Sequence, residues 1–464
     1  MTIADAATDE AAERLRPRLA RHMGALAALA WPVMLSRAGI LLMSLVDVVM
    51  LGRYDTLALA EASVALGLFV PVMVTGVGLQ MGTISIVSRR HGASDVEGTV
   101  AAWRRALPWA ALTGAAGAAL LWFGEDWLRL IGQEPRLVEG GGAVSRVLAP
   151  GLMLQVLYVA SAFYMEGTGR PKPALYAMAA ANVLNVALNW LLIYGNAGAP
   201  ELGAVGSAWA TTGVRVFLVL LMTGIVLTRP EVRAAGRRAL GGGVWGPGGW
   251  AHGAEMRRLG AAAGLSVFFE TTAFGALIQM AGLLGAGALA AYSIAHNLQT
   301  TIFMTALGLG VASGVRAGGA AGAERMDEAA FAGWTGLAAA AAVMGLLGLG
   351  LVFGAEAIVN LYTEDAALAA RAAPLLAVAG VAVVPHGMQI VMGQCNRALG
   401  DAFTASSLYL AAYWGVLTPA AWALAFPLGY GAAGLVAATG LGAAASVILQ
   451  GARFRALCRR DPPT

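Results

Sequence analysis

The chain has 464 residues, of which 58% are hydrophobic and 12% charged, and a net charge of +4. Soluble domains carry roughly 25% charge, so this composition, with a mean hydropathy of +0.70, excludes a soluble globular protein and predicts a polytopic membrane protein. The sequence pI near 9.3 does not point to nucleic acid, because the arginines gather at the ends of apolar runs, where they set topology, and no basic patch is interleaved with aromatics.

Met1 to Arg21 is polar and of mixed charge, unlike a secretory signal peptide, and is read as a cytosolic tail, 1–21. Beyond it, apolar stretches of about 20 residues predict twelve spans. They fall near 26–51, 62–87, 106–123, 144–166, 174–195 and 203–227, then 260–284, 288–314, 332–354, 372–394, 402–424 and 430–452. The fold class expected is all-α, with twelve transmembrane helices in two six-helix lobes. The N-lobe is expected over 22–228, a cytoplasmic linker over 229–258 around the glycine-rich run Gly241 to Gly249, the C-lobe over 259–453, and a cytosolic tail over 454–464. Glycine, at 62 residues, and long alanine runs suit helices that pack closely through small side chains in lipid.

Of the 30 lysines and arginines, 23 fall on the face shared with the tail, 5 on the opposite face and 2, Arg37 and Arg215, within spans. The asymmetry predicts cytosolic termini and an even number of spans. Cys395 and Cys458 lie at predicted cytoplasmic ends without metal-ligand spacing, so reduced thiols are expected.

An internal repeat at an offset of about 230 residues joins the halves: Ala58 to Ser63 matches Ala288 to Ser293, and Leu202 to Gly206 echoes Leu428 to Ala432. Six spans per half give both copies one orientation, related by a pseudo-twofold axis along the membrane normal. Substrate sites of such transporters lie between repeats.

Within the apolar runs stand Asp47, Glu270 and His386. A charged group near the bilayer centre costs at least about 2.5–3.5 kcal/mol, so these side chains are expected to line a cavity, pair or titrate. Asn185 and Asn189 are spaced to share one helical face; they serve either as binding amides or as interhelical hydrogen bonds. Glu270 lies about ten residues into its span, close to the midplane at 1.5 Å per residue, and His386 is about as deep. His386 is either a titrating group or a histidine satisfied by a helix carbonyl. Arg37 is the repeat equivalent of Glu270 when Gly52 is aligned with Gly285, and pairs either with it or with local carbonyls. Gln80, Gln279, Asn297 and Gln389 are candidate cavity liners, since buried amides are costly in lipid. Tyr292, Met304, Tyr409, Tyr413 and Trp414 are candidates to stack on flat ligands, or else packing residues. No phosphate-binding Gly-Lys-Ser/Thr loop, His-Glu-x-x-His or Cys/His cluster occurs, so no enzyme, ATP or metal cofactor is expected and an ion gradient is left as the energy source.

Several of these segments resemble the multidrug and toxic compound extrusion (MATE) family. They are Pro32-Val33-Met34-Leu35-Ser36, Val46 to Gly52, Glu166-Gly167-Thr168-Gly169-Arg170-Pro171, Asn182 to Asn189, Phe269-Glu270, and Gln389 with Arg397-Ala398-Leu399-Gly400-Asp401. The resemblance runs through nearly the whole chain after the tail, and Glu270 is similar to the NorM-type branch. It implies a multi-pass antiporter of a bacterial cytoplasmic membrane that expels organic, often cationic, drug-like compounds in exchange for H+ or Na+, its lobes rocking between inward-open and outward-open states. It implies no nucleic-acid or obligate protein partner.

By the same resemblance Asp47 is the N-lobe acid, flanked by Asn182, Asn185 and Asn189. Asn189 stands where the archaeal and DinF-type pattern has an acid, which argues against a two-carboxylate site. His386 stands where NorM-type relatives usually carry aspartate. Sodium favours oxygen ligands and imidazole takes a proton, so proton coupling through Asp47, Glu270 and His386 is expected, with Na+ at Asp47 or Glu270 the alternative. Two other readings stand: a lipid-linked precursor flippase, favoured by Arg37 and Arg215, and a membrane transferase, disfavoured by the depth of Glu270 and His386.

Overall fold

The structure, a computed structural model, describes residues 3–235 and 250–459, with side chains for 16–235 and 250–459. The Gly241 to Gly249 linker lies outside the described residues. Among them every extended element is helical. Lipid offers no hydrogen-bond partner to the backbone, so a spanning segment must satisfy its own N–H and C=O groups.

Helix α1 (Ile3–Tyr54) carries the tail and the first span without a break. It is followed by α2 (Thr56–Leu79), α3 (Met81–Gly92), α4 (Val96–Trp122), α5 (Gly124–Leu130), α6 (Pro135–Gly167), α7 (Lys172–Leu192), α8 (Gly203–Leu227) and the short α9 (Pro230–Ala235). Next come α10 (Ala254–Leu283), α11 (Ala286–Gly322), α12 (Met326–Phe353), α13 (Ala355–Val359) and α14 (Ala366–Ala398). Helix α15 (Ala402–Leu410) passes through a π-helical turn (Ala411–Leu417) into α16 (Thr418–Ala425), and α17 (Gly431–Cys458) closes the described chain.

Eleven helices among the described residues are long and apolar enough to cross a membrane, or twelve when α4 and α5, bent by 53° at their junction, count as one. All twelve expected spans fall on these helices. The helices overrun the apolar windows at many ends, because polar turns at the membrane surface continue the same backbone ladder. Asp55, Asp95 and Asp365 start α2, α4 and α14 by accepting the N–H groups of Ala58 (3.1 Å), Gly98 (2.8 Å) and Ala367 (2.8 Å), the usual satisfaction of orphan donors at a helix start.

The chain divides into two compact units. One holds 35–274 and 400–410; the other holds 1–34, 275–399 and 411–464. The divisions therefore fall inside α1 and α10 as well as beside the π-helical turn, and not at the linker. Close backbone approaches explain the first two. In the first unit, α2 and α3 meet the early half of α10 through Gly78, Gly82, Gly260 and Gly264. A Cβ on Gly82 would overlap the Met256 carbonyl oxygen, one on Gly260 the Leu79 carbonyl oxygen, and one on Gly78 would lie 2.9 Å from the Gly264 Cα. Small residues four apart on both helices are the usual device for this contact in membranes. In the second unit the early half of α1 packs likewise, a Cβ on Gly308 of α11 lying 3.0 Å from the Met34 nitrogen. At its start Arg18 meets Glu328 at 3.0 Å, and His22 lies 2.8 Å from the same carboxylate.

Candidate ion-coupling site

The first unit builds its site on α1, α7 and α8. Asp47 of α1 accepts Asn185 Nδ2 at 3.1 Å and Asn189 Nδ2 at 2.5 Å on Oδ1, and the Thr211 hydroxyl at 3.3 Å on Oδ2. Both asparagines are fully buried, and Asn189 also reaches Asn185 Oδ1 at 3.3 Å. A one-turn spacing on α7 thus brings two amides to one carboxylate oxygen. Just beyond, the Tyr194 hydroxyl donates to the Met50 carbonyl at 2.8 Å and pins α7 to α1. Among the described residues every side chain bonded to Asp47 is a neutral donor, and no second carboxylate is bonded with it.

Asn182 does not share this role. Its amide donates to the Gly39 carbonyl at 3.1 Å and to the Met178 carbonyl at 2.9 Å, so it ties α7 to α1 about two turns before the acid. Thr211, unremarked in the sequence, completes the shell; a lone threonine in an apolar span usually bonds its own preceding turn, which hides it.

Arg37 pairs with neither Glu270 nor a local carbonyl. Its guanidinium donates to both carboxylate oxygens of Glu166, at 3.2 and 3.3 Å, and lies 5.5 Å from the Phe163 ring centroid. Both partners are buried. Repeat equivalence places residues by helix and depth, whereas the buried acid that reaches Arg37 comes from the C-terminal end of α6.

Arg215 lies on α8 one turn beyond Thr211 and 8% exposed. Its guanidinium sits 4.4 Å from the Phe69 ring centroid and against Gly151 of α6, where a Cβ would come within 2.8 Å of Nη1. Buried Nη1 finds no acceptor among the described residues. Gln80, fully buried where α2 gives way to α3, donates to Thr113 at 3.3 Å. Glu270, partly buried on α10, groups with this unit rather than with His386.

The second unit places a polar and aromatic stripe on α11. Tyr292, His296, Gln299 and Phe303 recur at helical spacing on one face. Tyr292, fully buried, stacks on His296 with centroids 5.9 Å apart, and Phe303 meets the His386 ring edge-on at 5.1 Å. Gln299 donates to Thr439 at 3.3 Å, and Gln389 to the Tyr413 hydroxyl presented by the π-helical turn. Such turns are rare and recur at functional sites. Tyr409 is buried close by in sequence, whereas Trp414 is exposed. Two expected liners stand apart from the stripe: Gln279 is exposed, and Asn297, also exposed, accepts the Tyr362 hydroxyl at 3.1 Å. His296, which the sequence reading passed over, is the second imidazole of this face.

The MatE family model matches residues 32–191 and again 262–423, two copies whose starts reproduce the repeat offset. Among curated proteins, a probable multidrug resistance protein NorM of Caulobacter vibrioides is 34% identical over 97% of this chain and 94% of its own. The multidrug resistance protein PmpM of Pseudomonas aeruginosa is 30% identical over 88% and 85%. Among solved structures, the eukaryotic MATE transporter AtDTX14 superposes with a TM-score of 0.84 at 18% identity, covering 95% of this chain and 98% of its own. An outward-facing multidrug resistance MATE family transporter gives 0.81 at 20%, covering 94% and 96%. With both halves matched by the family model and full-length relatives above 30% identity, this multi-pass membrane chain belongs to the MatE family, the multidrug and toxic compound extrusion family.

Proposed function

We propose that this chain is a secondary-active multidrug exporter of a bacterial cytoplasmic membrane, expelling organic, often cationic, compounds in exchange for inward protons. The curated relatives carry multidrug resistance in their names, which supports the substrate class. The observation that carries the ion is the shell of Asp47: two amide N–H groups and a hydroxyl point their donors at one carboxylate. Sodium, a hard cation, wants several oxygen ligands, as other hard cations do, whereas here the neighbours turn N–H and O–H groups, not oxygens, on the single acid. A proton needs a single lone pair.

Protonation of Asp47 removes a charge on which three donors converge, so the protonated and ionised lobes prefer different arrangements. Substrate binding to one arrangement then shifts the population as the proton does. The lipid-linked flippase reading loses its footing at Arg37, whose charge is met by Glu166.

The test is drug efflux in an efflux-deficient host and in inverted vesicles. Intact protein is expected to confer resistance and to load vesicles when ΔpH is imposed, and Asp47→Asn to do neither at equal expression. Vesicle transport that follows a sodium gradient and ignores ΔpH would overturn the ion assignment. Unchanged resistance with Asp47→Asn would overturn the site.

A further inference from the structure

Arg215 is a buried cation with no acid bonded to it. Alone among the described residues of α8 it brings a charge into the span, one turn from the threonine that donates to Asp47. The pocket that holds it is built: the guanidinium stacks on Phe69 of α2 and fills the space left by Gly151 of α6, while Nη1 is sealed from solvent without an acceptor. An unpaired buried charge is expensive, and an aromatic face returns only part of that. The charges of Arg215 and Asp47 nevertheless act on one another. Of the charged groups on the helices around it, Arg37 of α1 and Glu166 of α6 are bonded to each other, the side chains that α7 brings to Asp47 are amides, and α2 meets Arg215 with a phenyl ring.

We propose that Arg215 is the resident counter-ion of Asp47, standing where a bound alkali cation would otherwise compensate the carboxylate, and that it thereby makes the site selective for protons. Sodium must bring its whole charge beside a fixed guanidinium. A proton needs no ligands of its own and forms a covalent O–H on Asp47, leaving Arg215 on Phe69. When Asp47 loses its proton, the guanidinium, one helical turn from the threonine that donates to that carboxylate and without an acceptor of its own at Nη1, is the group that compensates it. The proposal rests on Asp47 as the coupling acid, but its central measurement does not depend on transport.

The test is direct Na+ binding to purified full-length protein, by 22Na+ capture or calorimetry, on the intact chain, Arg215→Met, Arg215→Gln, Arg215→Lys and Arg215→Met/Asp47→Asn. Monodispersity and melting establish which variants fold, and Arg215→Gln serves if Arg215→Met does not. The intact chain and Arg215→Lys are expected to bind no sodium saturably. Arg215→Met or Arg215→Gln is expected to gain saturable binding, and the double variant to lose it again. In vesicles, the proton concentration that half-saturates efflux is expected to fall about tenfold with Arg215→Met, the size of one lost charge interaction. Sodium bound by the intact chain, no sodium bound by either neutral variant, or binding that survives Asp47→Asn would each overturn the proposal. Failure of the coupling reading shows elsewhere, as drug efflux undisturbed by Asp47→Asn alone.

Discussion

The two units place different chemistry in their interiors. The unit of 35–274 and 400–410 holds Asp47, Glu166 and Glu270 with Arg37 and Arg215. The spans of the other unit bring no carboxylate beyond the first residues of α1 and the first turn of α12; their interior polarity comes from His296, His386, Gln299, Gln389, Tyr292 and Tyr413. The repeat makes the contrast concrete, for the offset that aligns Gly52 with Gly285 puts Met280 opposite Asp47. Duplication copied the helices but not the acid. One unit sets ionisable acids and guanidinium groups among its spans, and the other sets uncharged amides and phenols beside two imidazoles.

That contrast breaks first at the carboxylate. Asp47→Asn is expected to abolish proton-driven efflux while the protein still inserts, because the amide preserves shape and one acceptor oxygen; vesicle uptake against expression level measures it. Next comes the buried pair. Glu166→Gln or Arg37→Met alone leaves one buried charge without its partner and is expected to cost about 3–5 kcal/mol, read as a lower melting temperature of the detergent-solubilised protein. Arg37→Met with Glu166→Leu is expected to recover much of it, and additive losses would show that the two do not act as a pair.

A third experiment compares backbone approach with charge. Gly82→Ala pushes a methyl into the Met256 carbonyl and is expected to cost about 1–3 kcal/mol, whereas Gly275→Ala, on the same α10 but with open space around its Cβ position, should change the melting temperature little. In the other unit, His386→Gln or His296→Gln removes an imidazole without stranding a charge, and efflux is expected to fall less than with Asp47→Asn, measured by the same vesicle uptake.

The smallest effect lies outside the spans. Burial alone would raise the Glu231 carboxyl, but its own backbone N–H and the Arg170 guanidinium outweigh it and hold the carboxyl below the usual carboxylate range. A depressed acid contributes stability that is present above its unfolded value and lost as pH falls through the folded one. Glu231→Gln should therefore lower the melting temperature slightly at pH 7, within the about 0–1 kcal/mol of an exposed pair, and not at all once the pH is below the folded value.

Much of this was legible before any coordinates. The twelve spans follow from hydropathy because lipid imposes one backbone solution, and the two copies follow from a repeat that the family model matches twice. The grouping of Asp47 with Asn185 and Asn189 comes from the family resemblance, and the one-turn spacing of the two amides accounts for both reaching one carboxylate. The third donor to Asp47 was not legible, since nothing in the spacing of Thr211 distinguishes it from a hydroxyl bonded to its own helix.

Partner choice between distant helices is what sequence left open. Arg37 had its repeat equivalent as an obvious candidate and found Glu166 instead, 129 residues away, while Asn182, in register with the other asparagines, turned to the Gly39 carbonyl. The division of the chain inside α1 and α10 was equally hidden, resting on five glycines, four at α10 and Gly308 against α1, whose missing side chains let backbones approach. Sequence by itself determined which segments cross the membrane, that they come in two copies, and which residues must be compensated inside. Tertiary structure alone decided which group compensates which, because a helix's periodicity fixes the face a side chain occupies but not the neighbour that packing brings against it.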